Sequence, residues 1–137
     1  MALLTNQEIF DKVAVHLLTQ NKQSRTGDVG CAYRGNDGLS CAIGCLIPDA
    51  EYTQDIEGWL LPARLKTLSL DIDPEEREKG SEKLADILRS VGVPDTAFEL
   101  LSQLQNIHDA YQPASWKERL AKCAQDNCVD SRIIQNF

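Results

Sequence analysis

The sequence predicts an α+β fold, a mainly α-helical single domain over residues 1–137 with a small β-hairpin around residues 31–44. Residues that cap helices stand before several stretches in which apolar side chains recur at helical spacing. An Asp-Gly pair separates two short runs in the first half of the chain, as it does in tight strand reversals. A length of 137 residues with 42% apolar side chains is typical of one domain with a sizeable core.

The first predicted helix follows a capping box near the N-terminus. Thr5 and Glu8 have the spacing at which a hydroxyl and a carboxylate reciprocally satisfy free backbone N–H groups. An apolar stripe follows at helical spacing, formed by Ile9, Phe10, Val13 and Leu17. We therefore expect a helix from about Asn6 to Gln20, with His16 beside its stripe and without a predicted role.

A hairpin is predicted next, because Asp37-Gly38 lies between the runs 31–34 and 39–43 and Gly tolerates the positive φ angles of tight reversals. Alternation places Leu39, Cys41 and Ile43 on one face, and Ser40, Ala42 and Gly44 on the other. The small residues of the second face predict close packing by a covering helix. Pro48 is then expected to open a short helix.

Three further helices are predicted in the second half of the chain. Asp73-Pro74 opens a charge-rich helix that should end at Gly92. Asp95 is expected to cap the next helix, whose stripe is Phe98, Leu101, Leu104, Ile107 and Tyr111. Ser115 and Glu118 form a second capping box, which predicts a last helix that runs to about Gln125.

Charge and cysteine content indicate which classes of partner and which cellular compartment to expect. The formal net charge is −7, from 21 acidic and 14 basic residues, and no basic cluster is visible, so we expect no direct binding of nucleic acid. No apolar run is long enough for a membrane span, and no secretory signal is visible, so we expect a cytoplasmic protein without a membrane partner. Five cysteines, an odd number, are then expected to be reduced thiols.

Metal binding and thiol chemistry are the functional alternatives to ordinary packing of the cysteines and His108. Zinc would require Cys31, Cys41 and Cys45 to converge with His108, Cys123 or Cys128, but no Cys-x2-Cys pair is present. Nucleophilic catalysis would require a thiolate beside His108, which Asp109 follows directly. Packed cysteines and a hydrogen-bonded helix end are the favoured interpretation, so we assign no metal ligand, cofactor or catalytic residue, and an enzyme is the less favoured class.

One polar cluster remains as a candidate ligand site. Its members are Arg34, Asp37, Asp49, Tyr52, Glu57, His108 and Asp109. The favoured interpretation is that these side chains pin the hairpin to the helices, with the planar Arg34 guanidinium on a carboxylate, because so small a hairpin is not stable alone.

The same region carries a resemblance. The motif is Tyr33-Arg34-Gly35-x-x-Gly38-x-x-Cys41-Ala42-x-Gly44-x-Leu46-Ile47-Pro48-Asp49, preceded by the helix QEIFDKV and followed by Leu104-Gln105-x-x-His108-Asp109 and a helix that contains Trp116. It resembles a family of small proteins encoded by tailed phages and prophages of bacteria. The family has no assigned activity, so the resemblance implies a setting in the bacterial host cytoplasm and no catalytic residue.

Three hypotheses follow, in order of preference. The first is an inhibitor or adaptor that binds a host or defence protein, with a basic surface, through the acidic side of the charge-rich helix, formed by Glu75, Glu76, Glu78, Glu82 and Asp86. The second is a small-ligand or nucleotide-signal binder, which requires Arg34 to face a cavity. The third is a Cys/His-dependent enzyme or a zinc module, and the enzyme requires Cys41 or Cys45 within hydrogen-bond reach of His108.

Overall fold

The computed structural model of the chain describes residues 3–25, 32–53, 56–57 and 74–137. The α-helices in these ranges are α1 (Asn6–Gln20), α2 (Pro74–Ser90), α3 (Phe98–Ala110) and α4 (Pro113–Asp126). Short 3₁₀ turns lie at Asn36–Gly38, Gly44–Leu46, Asp95–Ala97 and Arg132–Asn136. None of the helices in the described part of the chain combines the length and the apolar character that crossing a bilayer requires.

The first helix matches its prediction from cap to end. The backbone N–H of Glu8 donates to the Thr5 hydroxyl at 3.1 Å, and the Glu8 carboxylate accepts from the Thr5 N–H at 3.0 Å. The apolar stripe is buried throughout, and α1 packs against both α3 and α4. Asn21 ends the helix in the left-handed conformation, with φ of 50°.

Helix α2 begins at Pro74 and ends at Ser90, close to the predicted end at Gly92, where φ is 96°. Asp73, its predicted cap, lies outside the described residues.

Asp95 does not cap the following helix as predicted. Its carboxylate instead binds the Arg89 guanidinium, with Nε to Oδ1 at 2.6 Å and Nη2 to Oδ2 at 2.8 Å. A bidentate contact with a cation satisfies that carboxylate better than a single backbone N–H would.

Helices α3 and α4 pack along each other, joined by the short link that the sequence indicated. The last helix starts at Pro113 instead of Ser115, so the predicted capping box at Ser115 is wrong. The fixed φ of proline suits the first helical position, and Ser115 therefore falls inside the first turn, where its N–H donates to the Gln112 carbonyl at 2.9 Å. Trp116 is fully buried in the core between the helices.

The predicted β-hairpin is wrong. In the described part of the chain no residues form a strand, and around the turn at Asn36–Gly38 a single antiparallel bridge joins Arg34 to Ser40. The turn itself has the expected backbone, with φ of 59° at Asp37 and 74° at Gly38. The protein is thus a helical fold that carries an irregular loop over residues 32–53, which we call the motif loop.

Packing explains why the arms of the motif loop are not strands. Cys41, Ala42 and Ile43 are buried one after another, which an extended strand with one open face does not allow. The chain curls instead into helical turns, in which the Cys45 N–H donates to the Cys41 carbonyl at 3.0 Å. The close packing predicted at Gly44 is real, but the neighbour is the Tyr33 backbone and not a covering helix. Pro48 opens a turn and no helix.

Two glycines of the motif loop should respond differently to alanine. A Cβ at Gly44 would overlap the Tyr33 carbonyl, so we expect Gly44→Ala to lower the free energy of unfolding by about 3 kcal/mol. A Cβ at Gly38 meets open space, and only its φ of 74° is unfavourable, so Gly38→Ala should lower that energy by about 1 kcal/mol. Urea unfolding followed by circular dichroism measures both, and equal losses would contradict the packing at Gly44.

Candidate functional site

A carboxylate from beyond the motif loop fixes the start of the loop. Glu57 accepts the backbone N–H of Tyr33 at 2.8 Å and that of Arg34 at 3.0 Å. It also accepts the Tyr52 hydroxyl at 2.5 Å. Partial burial raises the pKa of Tyr52 to about 12, and the hydrogen bond to Glu57 adds to the effect. Tyr52 therefore stays a protonated donor near neutral pH, and the backbone that carries Arg34 is held in place.

The Arg34 guanidinium is held by three neighbours. Nη2 donates to the Ile47 carbonyl at 2.5 Å, and Nη1 donates to Asp49 Oδ1 at 2.5 Å. The guanidinium carbon lies 5.1 Å from the centroid of the Tyr52 ring, within the range of a cation–π contact. The Arg34 side chain is 29% exposed, whereas that of Asp49 is 93% exposed. The cation is thus partly buried, and its counterion stands in solvent.

A pocket of ≈ 430 Å³ lies beside this ion pair, and we call it the Arg34 pocket. It is lined by His16, Arg34, Gly38, Ser40, Gly44, Cys45, Ile47, Pro48 and Asp49. Both acceptors of the guanidinium belong to this lining, which places the guanidinium at the pocket wall. The volume is within the usual range of small-ligand sites.

Helix α1 also fixes part of the pocket lining, because His16 and Gln20 both bind the Ser40 backbone. His16 Nε2 lies 2.8 Å from the Ser40 carbonyl oxygen, so it carries the proton and donates. Gln20 donates to the same carbonyl at 2.9 Å and accepts the Ser40 N–H at 3.0 Å. The sequence assigned no role to His16, because its partner is a backbone group that no side-chain pattern reveals.

The seven predicted ligand residues separate into three groups. Arg34, Asp49, Tyr52 and Glu57 come together, as the preceding contacts describe. Asp37 is exposed at the tip of the turn and does not line the Arg34 pocket. His108 and Asp109 belong to a buried network on α3. The structure therefore does not bring all seven residues to one pocket.

The buried network is centred on His108, which is fully buried. Its Nε2 accepts the Ser24 backbone N–H at 2.8 Å, and its Nδ1 lies 2.7 Å from Asp109 Oδ1. These partners imply a neutral ring with the proton on Nδ1. The ring stacks on Trp116 at 5.6 Å between centroids. His108 thus pins the segment before the motif loop to α3.

Two glutamines complete the network. Gln105 accepts the Ile43 N–H at 3.0 Å and donates to Asp109 Oδ1 at 2.9 Å. Gln23 donates to the His108 carbonyl at 3.0 Å and to the Tyr111 carbonyl at 3.1 Å. The side-chain hydrogen bond from this helix to the motif loop comes from Gln105, which the sequence did not single out, whereas His108 binds Ser24, which precedes the loop. The spacing of four residues between Gln105 and Asp109 on one helix face was the available signal.

The thiols of Cys41, Cys45 and Cys123 are protonated and pack within the fold. Cys41 Sγ accepts the Gly44 N–H at 3.3 Å, and Cys45 Sγ donates to the Ala42 carbonyl at 3.1 Å. Burial raises the pKa of Cys41, and it raises that of Cys45 to about 12 and that of Cys123 to about 11. Both ring nitrogens of His108 are bound elsewhere. The thiolate and free base that an enzyme requires are therefore not paired in the described residues.

Metal-ligating side chains do not gather in the part of the chain that the structure describes, where no group of three His, Cys, Asp or Glu residues is placed to hold an ion. Cys31, the first residue of the zinc alternative, lies outside the described residues.

The acidic candidates on α2 are described only in part. Glu82 and Asp86 are exposed, with 68% and 71% of their side chains accessible. Asp86 binds Arg89 at 2.8 Å, and Glu82 lies at 4.0 Å from it. Glu75, Glu76 and Glu78 belong to the first turns of the same helix, and their side chains lie outside the described part.

Comparison of the chain with known protein families, with characterised proteins and with solved structures gave no significant match.

Removing the buried imidazole should destabilise the protein strongly. His108→Ala leaves a cavity beside Trp116 and deprives the Ser24 N–H of its acceptor, so we expect the free energy of unfolding to fall by about 3–5 kcal/mol. His16→Ala, at a half-buried ring, should lower it by about 1 kcal/mol. Chemical unfolding monitored by tryptophan fluorescence measures both, and similar losses would show that His108 is not a central support.

Alkylation should separate the cysteines by burial and by pKa. At pH 8 the thiols of Cys45 and Cys123 lie well below their pKa values of about 12 and 11, so the reactive thiolate is scarce. The exposed Cys128 should react with iodoacetamide first, and Cys41 and Cys45 should react only after unfolding. Peptide mapping by mass spectrometry assigns each site. Rapid modification of Cys45 in the folded protein would instead favour the hypothesis of a Cys/His-dependent enzyme.

Proposed function

We propose that this chain is a small acidic binding protein of the phage and prophage type, which acts in the bacterial cytoplasm as an inhibitor or adaptor by holding a host or defence protein. The sequence motif of the loop and the net charge of −7 support this setting. The observation that carries the proposal is the exposure of two acidic side chains on α2, Glu82 and Asp86, while the described histidines and buried thiols are bound within the fold.

The acidic face of α2 is the first candidate surface for that partner. Its described members, Glu82 and Asp86, project into solvent. Arg89, the neighbouring cation, donates to Asp95 through Nε and Nη2 and to Asp86 through Nη1, and these hydrogen bonds, that to Asp95 foremost, raise the pKa of Arg89. A basic partner surface would be attracted by this face, and exposed charges of this kind mainly accelerate association.

Binding of a small ligand in the Arg34 pocket is the second candidate function. It is favoured by one observation, the position of a partly buried guanidinium at the wall of a pocket of ≈ 430 Å³. A nucleotide-like signal is one ligand that an arginine in such a place recognises.

Charge reversal tests the surface of α2. E82K/D86K should retain the fold, because exposed charges contribute little to stability, and should lose a partner captured from an expressing bacterial host. E99K/E118K is the matched control, since both residues are exposed, lie on α3 and α4, and give the same change in net charge. Quantitative mass spectrometry of the captured proteins measures the loss.

The control separates a specific surface from the overall field of the protein. A partner that binds wild type and E99K/E118K but is lost from E82K/D86K supports the proposal. Equal loss from both variants would indicate non-specific attraction by net charge, and equal retention would remove α2 from the interface.

A further inference from the structure

We propose that the Arg34 pocket binds a small oxyanion, a phosphate or a carboxylate group, and that the Asp49 carboxylate is an internal competitor which the ligand displaces from Arg34. This inference rests on the second candidate function, ligand binding in the pocket, and it is independent of the acidic face of α2.

The guanidinium would stay in place without Asp49. The Ile47 carbonyl accepts from Nη2, the Tyr52 ring lies against the guanidinium, and Glu57 fixes the Arg34 backbone. Tyr52 is itself bound to Glu57. A cation that is fixed from behind loses little conformational freedom when an anion arrives, so the site is preorganised for a ligand.

Asp49 is weakly held by comparison. Its side chain is 93% exposed, and its contact with the guanidinium is through Nη1. Ion pairs in solvent contribute little to stability, because water and salt screen them. An anion in the pocket would meet the same partly buried guanidinium, with which it would form a charge-assisted hydrogen bond.

The remaining lining suits an anion with a small organic group. His16 and Ser40 line the pocket beside Arg34, and among the described residues of the lining Asp49 is the one carboxylate. Once Asp49 has moved away, the formal charge that faces the ligand is positive. A volume of ≈ 430 Å³ exceeds what a bare phosphate fills, which leaves space for the group that carries it.

A second polar pocket of the chain provides the matched control. It has ≈ 460 Å³ and is lined by Gln7, Asp11, Asp130, Arg132 and Ile133. Asp130 also pairs with an arginine, with Oδ2 2.7 Å from Arg132 Nε. There, however, the carboxylate also accepts the Arg132 backbone N–H at 2.7 Å, and a second carboxylate, Asp11, lines the pocket. Neutralising Asp130 should therefore not create an anion site.

Titration with inorganic phosphate tests the proposal. We would follow the Arg34 side-chain and loop amide signals by NMR at constant ionic strength in wild type, D49N and D130N. Removing one negative charge beside the bound anion should lower the Kd for phosphate about tenfold in D49N and leave it unchanged in D130N. Parallel titrations with acetate and adenosine monophosphate distinguish a carboxylate from an organic phosphate as the preferred group.

The double variant D49N/R34A should lose the tighter phosphate binding of D49N. Circular dichroism checks that each variant is folded. A gain that persists without Arg34, an equal gain in D130N, or the absence of saturable phosphate binding to D49N would each overturn the proposal. Partner capture by the acidic face of α2 would be unaffected by any of these results, so failure of the pocket and failure of the partner surface are distinguishable.

Discussion

The hydrogen bond from the Ser24 backbone to the buried His108 imidazole is the contact on which the motif loop depends. The backbone N–H groups of the buried residues Ser24 and Ile43 are directed at side chains of α3, because a buried N–H group requires an acceptor. His108 provides one acceptor from α3, and Gln105 provides another, for Ile43. Trp116 packs on the imidazole, so the core of the helices and the fixing of the loop are one structure.

Contacts with two helices fix the position of the motif loop and of the charged side chains on it. Helix α3 holds the loop through the network of His108 and Gln105, and α1 holds it at Ser40 through His16 and Gln20. The turn at Asn36–Gly38, which precedes Ser40, is exposed. Arg34 is placed beside the Arg34 pocket by Glu57, which binds the backbone instead of the guanidinium.

Local signals in the sequence were sufficient for the helices and insufficient for the loop. The capping box of Thr5 and the proline at the start of α2 act within one turn of chain, so their residues alone determine the outcome. The alternation after Gly38 fits a strand and a buried irregular loop equally well, and only the packing of Cys41, Ala42 and Ile43 together decides between them. The polar network is non-local, since Gln105 and Ile43 are 62 positions apart.

The two proposed surfaces, Glu82 and Asp86 on α2 and the Arg34 pocket, differ in how strongly water screens their charges. Glu82 and Asp86 are solvated, so their attraction for a partner is strong only within the screening length and weakens as salt is added. Arg34 is partly buried and oriented by Ile47 and Tyr52, so a ligand in its pocket would be selected by geometry and would be less sensitive to salt. The two proposed surfaces therefore suit different partners. Glu82 and Asp86 suit rapid encounter with a macromolecule, and Arg34 suits retention of a small anion.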